Sequence, residues 1–126
     1  MDQLTPWHRR VAVLAFGARA TGIAADVAAQ SSAMTLTSIE ALVSGTLEAD
    51  LIVLVAEADD PCDGADRVDA HARAGHIALL ALVLGATADS AASPAAMTLR
   101  PLADTLVLTT DDELLMVMAH WLERTA

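Results

Sequence analysis

The feature that most constrains this chain is a set of five short apolar runs that alternate with helix-like segments. The runs cover residues 11–16, 33–36, 50–56, 76–84 and 104–109. Runs that are apolar throughout, rather than at every second residue, are typical of strands buried on both faces of a parallel sheet. We therefore predict a three-layer, doubly wound α/β domain of the Rossmann-like class, with a mostly parallel five-stranded sheet.

The segments between these runs carry the start and stop signals of helices. Small apolar residues recur at helical spacing on one face of residues 18–30. Residues 37–40 read Thr-Ser-Ile-Glu, which matches a capping box at the start of a short helix. Further helices are predicted from Asp63 or Gly64 to Ala74 with Gly75 as the stop, after the Ser93-Pro94 pair, and from Thr110 or Asp111 to about Arg124.

Length and charge exclude several classes of protein. With 126 residues we expect one domain spanning residues 1–126. The longest apolar run, residues 77–84, is shorter than the ~18 residues that a membrane helix needs, and no signal-peptide layout opens the chain, so we expect a cytoplasmic protein without membrane contact. The net charge of -10 opposes binding to nucleic acid and to anionic lipid.

Lysine and the motifs of several common catalytic mechanisms are missing from the sequence. The seven basic residues are all arginine, which removes Schiff-base lysines and the P-loop lysine. Cys62 is the single cysteine, and the four histidines share no ligand spacing. Neither G-x-S-x-G nor H-E-x-x-H is present. We therefore expect a protein that is not an enzyme and holds no cofactor or metal.

Six carboxylates lie within residues 57–69, directly after the third apolar run. In an open α/β sheet the loop that leaves such a strand is where ligands bind. An acidic loop repels phosphate and attracts cations or basic proteins, but EF-hand spacing is absent. Simple solvation, with acids placed favourably at a helix N-terminus, is the alternative. The residues that we expect to meet a basic protein partner are Glu57, Asp59, Asp60, Asp63 and Asp66.

The last third of the chain resembles FtsZ, the bacterial tubulin-like GTPase. Residues 99–115 contain L-R, then three residues, D-T-L, a strand, and D-D-E-L-L, where FtsZ has N-D-x-L-L. Residues 49–56 and 74–83 resemble the strands on either side of the family's glycine-rich phosphate loop. The resemblance implies a nucleotide-binding α/β fold.

Departures from the FtsZ pattern imply that nucleotide hydrolysis is lost. Where the family has its phosphate-binding glycines, residues 57–66 carry five acids and one glycine. We also expect the family's second domain to be missing. The resemblance therefore implies a non-catalytic FtsZ-like domain that acts through protein contacts. The alternative is a small-molecule or nucleotide-binding domain with a pocket at the C-terminal strand edge, formed by Phe16, Gly17, Gly22 and Asp112.

A second, less extensive resemblance is to response-regulator receiver domains. Residues 50–54 followed by Asp63-Gly64 are similar to the third strand and loop of that family. The phosphoacceptor position falls on Val55, the acidic pair after the first strand is replaced by Phe16-Gly17, and no lysine follows the fifth strand. This resemblance implies a receiver fold without receiver chemistry.

The last predicted helix carries an interaction signal. Its apolar stripe, which we expect to face the sheet, consists of Leu114, Leu115, Met118, Trp121 and Leu122. Met116, Val117 and Ala119 lie off that stripe, and a helix that is apolar nearly all round is buried on more than one side. We expect a homodimer contact at Met116 and Val117. The alternative is that residues 86–100, or the N-terminal arm with Trp7, cover this surface.

Overall fold

The computed structural model describes residues 10–45, 48–85 and 92–125, and the side chains of this last stretch as far as Leu122. It confirms the predicted three-layer α/β fold and shows that the sheet is parallel throughout. Strands and helices alternate as β1 (Val11–Phe16), α1 (Ala18–Gln30), β2 (Met34–Leu36), α2 (Ile39–Val43), β3 (Leu51–Glu57), α3 (Ala65–Gly75), β4 (Ala78–Leu84), α4 (Pro94–Leu99), β5 (Thr105–Thr109) and α5 (Leu114–Thr125).

The strands lie in the order β2-β1-β3-β4-β5. This is the flavodoxin-like order of doubly wound sheets. The chain adds β2 on one side of β1 and the later strands on the other side, and this change leaves a crevice at the carboxyl ends of β1 and β3. β3 is the central strand, and Ile52 to Ala56 are each 0% exposed. Because both faces of this strand are covered, its sequence is apolar without alternation.

Each face of the sheet packs against its own helix layer. On one face Leu54 and Val83 pack with Leu42 of α2, Val68 of α3 and Leu99 of α4. On the other face the sheet packs against α1 and α5 through a second set of small and branched side chains. The members of this second core include Val53, Val55, Leu82, Ala20, Ala24, Val27, Leu115 and Ala119.

Among the described residues, no helix is long and apolar enough to cross a membrane.

Several element boundaries differ from the sequence prediction for local backbone reasons. His76 does not open β4: it adopts left-handed φ 55° and ψ 41° as the C-cap of α3, and the strand begins at Ala78. Ser38, not Thr37, caps α2, because its hydroxyl oxygen accepts a hydrogen bond from the amide of Ala41 at 3.1 Å. β3 continues through Glu57, which makes the first acid of the predicted loop part of the strand.

Candidate functional site

Glu57 ends β3 at the crevice, and its side chain turns towards the start of α1. Its Oε2 atom accepts a hydrogen bond of 3.0 Å from the backbone amide of Arg19. Gly17 lies between them with φ 100° and ψ 151°, and a β-carbon at this position would overlap the Glu57 carboxylate. The chain therefore places a carboxylate where the first turn of α1 begins.

The Glu57 carboxylate occupies the position at a helix N-terminus where other α/β folds bind an anion. The amides at a helix N-terminus have no partner within the helix, and the helix dipole favours negative charge there. α1 has no side-chain cap of its own and no acid in its first turn. Glu57 supplies both from a neighbouring strand, so the anion position at this helix is filled from within the protein.

An ion pair between Arg19 and Asp112 closes the same edge from the other side. The guanidinium donates from its Nη2 atom to the Asp112 Oδ2 atom and so joins α1 to the loop before α5. The hydrogen bond and the charge of Asp112 raise the pKa of Arg19. The Oδ1 atom of Asp112 is buried and has no hydrogen-bond partner among the described residues.

The space left at this edge is small and acidic. A cavity of about 210 Å³ lies there, below the ~300 Å³ at which small-molecule pockets usually begin. Two carboxylates and one guanidinium contribute to its walls. Its lining residues are Arg19, Glu57, Ala58, Asp59, Leu84 and Gly85.

The structure divides the predicted acidic surface into two groups. Glu57 points at α1, and the Oδ1 atom of Asp60 accepts a hydrogen bond of 2.8 Å from the amide of Cys62. Asp59, Asp63 and Asp66 remain exposed to solvent. In the parts of the chain that the structure describes, no three histidine, cysteine, aspartate or glutamate side chains converge in a way that would hold a metal ion.

Cys62 lies in the loop between β3 and α3 and is only 1% exposed. Burial, followed by the charges of Asp60 and Asp63, raises the pKa of its thiol to about 12. A thiol of this kind is almost wholly protonated at neutral pH and is therefore a poor nucleophile.

The residues predicted to surround a nucleotide do not all meet. Gly17 and Asp112 lie at the carboxyl edge and are linked through Arg19. Phe16 packs against the core on the face covered by α2, α3 and α4. Gly22 lies within α1, and a β-carbon there would meet open space. The two glycines therefore do not form one phosphate-binding loop.

The contact between Glu57 and Arg19 was absent from the sequence prediction. One signal for it does exist in the sequence: Gly17 precedes a helix that has no Ser, Thr, Asp or Asn to cap it. Such a helix needs its N-terminal amides satisfied from elsewhere, and the acid at the end of the neighbouring strand is a natural source.

The outward face of α5 differs from the predicted stripe. Leu115 and Ala119 are buried against the sheet, whereas Trp121, predicted to face it, is 63% exposed. At about 100° per residue, Ala119 lies close to the direction of Leu115 and Trp121 points well away from it. Val117, which lies off the predicted stripe, is 56% exposed, and Met116 is half-buried beside α1.

An apolar groove runs beside the exposed side chains of α5. Its volume is about 390 Å³, and no ionisable side chain lines it. The groove reaches the amino end of β3. Its lining residues are Leu51, Val117, Met118, Trp121 and Leu122.

Comparison with known proteins identifies the fold. No family model matches the chain, and no curated protein matches it. Among solved structures, the Salmonella typhimurium response regulator RcsB, described for its conformational dynamism in DNA interaction, is similar with a TM-score of 0.51 at 14% identity. The similarity covers 94% of this chain and 62% of RcsB, so this chain spans less than two thirds of that protein.

The comparisons support the receiver-like fold and give no support to the FtsZ resemblance. Val55, on which the phosphoacceptor position of receivers falls by sequence resemblance, is 0% exposed within β3, and this strand continues to Glu57 at the crevice. The chain is thus similar in fold to the receiver domain of a response regulator, at an identity that establishes the fold alone.

Proposed function

We propose that this chain is a receiver-like domain that carries out no chemistry and acts through protein contacts in the cytoplasm. The observation that supports this most directly is the carboxyl edge of the sheet. Glu57 fills the anion position of α1, and Arg19 is paired with Asp112. The groups that could bind a phosphate there are already engaged with carboxylates of the same chain.

The alternative is a small-molecule or nucleotide-binding domain with its pocket at this edge. The cavity of about 210 Å³ argues against it, because it is smaller than an ordinary ligand pocket. A phosphate entering it would also meet the charges of Glu57 and Asp59. Two like charges about 6 Å apart repel by about 0.7 kcal/mol even in water, and by more where solvent is excluded.

Two surfaces are available for protein contacts. The exposed acids Asp59, Asp63 and Asp66 suit a basic partner, since the whole chain carries a net charge of -10. The exposed apolar side chains of α5 suit an apolar partner surface, because exposed apolar patches on monomeric proteins often serve binding.

Thermal melting in the presence of ligands tests the proposal. We expect millimolar GTP, GDP, ATP or Mg²⁺ to leave the melting temperature unchanged. A ligand at 100 times its Kd would stabilise the protein by about 2.7 kcal/mol, an effect easily seen in a domain of this size. Stabilisation of this order by any nucleotide would contradict the proposal and favour the ligand-binding alternative.

A matched variant shows whether Glu57 is the cause. Glu57→Gln removes the charge from the start of α1 and keeps an oxygen that can accept the Arg19 amide hydrogen bond. We expect inorganic phosphate to stabilise this variant more than the parent protein. Asp63→Asn, which removes an exposed acid away from that contact, is the control and should respond to phosphate as the parent does.

A further inference from the structure

A second groove, between α1 and α5, combines apolar and acidic side chains. This α1–α5 groove has a volume of about 300 Å³, at the lower limit of ordinary binding pockets. Val27 is buried and Ile23 and Met116 are half-buried, whereas Asp26 and Glu113 are exposed, so the floor is apolar and the rim is acidic. The floor consists of Ile23, Val27 and Met116, and the carboxylates of the groove belong to Asp26, Asp112 and Glu113.

The carboxylates of the α1–α5 groove lack positive partners. Arg19 pairs with Asp112, but in the described part of the chain neither Asp26 nor Glu113 forms an ion pair. The Oδ1 atom of Asp112 is buried and has no hydrogen-bond donor among the described residues. A buried acceptor without a donor is unfavourable. The groove is therefore complementary to a group that brings both N–H donors and positive charge.

The charge of the chain is distributed unevenly between the two helix layers. α1 together with residues 111–122 contains four acids and one arginine. On the opposite face, α2, α3 and α4 with its cap Arg100 contain three acids and three arginines. Because the excess of negative charge lies on the α1 and α5 side, a basic partner is drawn to that side of the domain.

We propose that the α1–α5 groove binds an arginine side chain presented by a basic segment of another protein. This inference rests on the proposed function, whose protein contacts it makes specific. An arginine side chain has an apolar methylene stem, which covers apolar surface, and a planar guanidinium, which pairs with carboxylates through two hydrogen bonds. The floor of the groove matches the stem, and its acidic rim matches the guanidinium.

Other occupants match the α1–α5 groove less well. A second copy of this chain would bring the same excess of acids towards the groove, and a phosphate group would also be repelled. A divalent cation takes six or more oxygen ligands, and no three acidic, histidine or cysteine side chains among the described residues converge to hold one. A lysine carries the charge but lacks the planar fork that pairs with a carboxylate in two places.

Nuclear magnetic resonance of the full chain labelled with ¹⁵N tests the inference. The probe is a capped hexapeptide of two arginines, two leucines and two alanines, titrated to about 5 mM, a range that detects a Kd of millimolar order. We expect saturable shifts of the amide signals of residues 23–30 and 112–116. The same peptide with lysine in place of arginine should bind more weakly, and the peptide with glutamine at both positions should not bind.

A matched pair of double variants locates the binding site. Asp26→Asn with Glu113→Gln removes two exposed charges from the rim and should weaken binding of the arginine peptide by roughly 3- to 10-fold, the effect of two exposed ion pairs. Asp59→Asn with Asp63→Asn removes two exposed charges outside the groove and should leave the affinity within about 2-fold of the parent. Circular dichroism checks that both variants fold, which we expect because all four side chains are exposed.

Three results would overturn the inference. The first is the absence of saturable shifts at about 5 mM arginine peptide. The second is a set of shifts centred on residues 59–66, with binding weakened more by the variant that lacks Asp59 and Asp63. The third is a glutamine peptide that binds as tightly as the arginine peptide. None of these results changes the nucleotide melts, so failure here is distinguishable from failure of the proposed function.

Discussion

Gly17 and Gly22 are five residues apart, and the structure predicts opposite effects when each is replaced by alanine. Gly17 has a backbone conformation, φ 100° and ψ 151°, that is essentially restricted to glycine, and a β-carbon there would overlap the Glu57 carboxylate. Gly22 has no such φ, and its β-carbon would project into open space from the surface of α1. We expect Gly17→Ala to destabilise the protein and Gly22→Ala to stabilise it.

The magnitude for Gly17→Ala has two parts. Holding alanine in this region of the backbone map costs about 1–3 kcal/mol. Moving the Glu57 carboxylate away from the Arg19 amide removes a partly exposed hydrogen bond, at about 0.5–1.5 kcal/mol. The total is about 2–4 kcal/mol, or a fall in Tm of roughly 8–15 °C for a chain of this length.

The effect of Gly22→Ala follows from helix propensity alone. Alanine is better than glycine in a helix interior by about 0.8–1 kcal/mol, and nothing in the surroundings of Gly22 opposes the added methyl group. We expect a rise in Tm of roughly 3–4 °C. Urea unfolding monitored by circular dichroism at 222 nm, with both variants beside the parent, measures these differences as shifts in midpoint at constant slope.

A double-mutant cycle isolates the contact between Gly17 and Glu57. In a Glu57→Ala background the carboxylate is gone, so Gly17→Ala should cost only the backbone strain and its effect should fall by about 1 kcal/mol. The reasoning is refuted if Gly17→Ala costs the same, within about 0.3 kcal/mol, in both backgrounds. It is also refuted if Gly22→Ala destabilises the protein as much as Gly17→Ala does.

Two further predictions concern α3 and the loop before it. The folded state holds the pKa of Cys62 at about 12, above its ordinary 9.0, so the stability that this buried thiol contributes should be intact below pH 9 and decline as the pH rises towards 12. Because the chain has no lysine or tyrosine, urea unfolding across this range reports Cys62 with little interference; a Cys62→Ala variant that keeps the same pH dependence would contradict the assignment. His76→Gly should stabilise the protein by about 1 kcal/mol, since His76 holds a left-handed C-cap conformation at φ 55° that glycine adopts without strain. The same substitution at half-buried His71, within α3, should destabilise in the same unfolding assay, and equal effects at the two sites would refute the cap argument.

The strands were predictable because their burial leaves a local signature. A central parallel strand is covered on both faces, so Ile52 to Ala56 are apolar without interruption, and this pattern can be read without knowing the partners. The boundaries were harder. His76 was predicted within β4 but caps α3, and Glu57 was predicted in the loop but belongs to β3. Neither a left-handed cap nor a polar residue at the end of a strand has a distinctive local sequence.

The outward direction of α5 was misjudged for a different reason. Trp121 is apolar and falls near a helical stripe, so pattern alone places it in the core. The structure shows that Leu115 and Ala119 lie against the sheet, and Trp121 points away from them at the helical spacing of about 100° per residue. Hydrophobicity indicates which residues favour burial, but the side on which the helix packs against the sheet decides which of them are buried.

By itself, the sequence determined the layered fold, the order of its elements and the absence of a glycine-rich phosphate loop, because each of these depends on residues close together in the chain. The site at the carboxyl edge was decided only by tertiary structure. Arg19 pairs with Asp112 across 93 residues and meets Glu57 across 38, and these contacts exist because parallel strands bring their carboxyl ends to one edge of the sheet. The sequence shows that residue 57 carries a carboxylate. That this carboxylate accepts a hydrogen bond from the first turn of α1 depends on the order of the strands in the sheet.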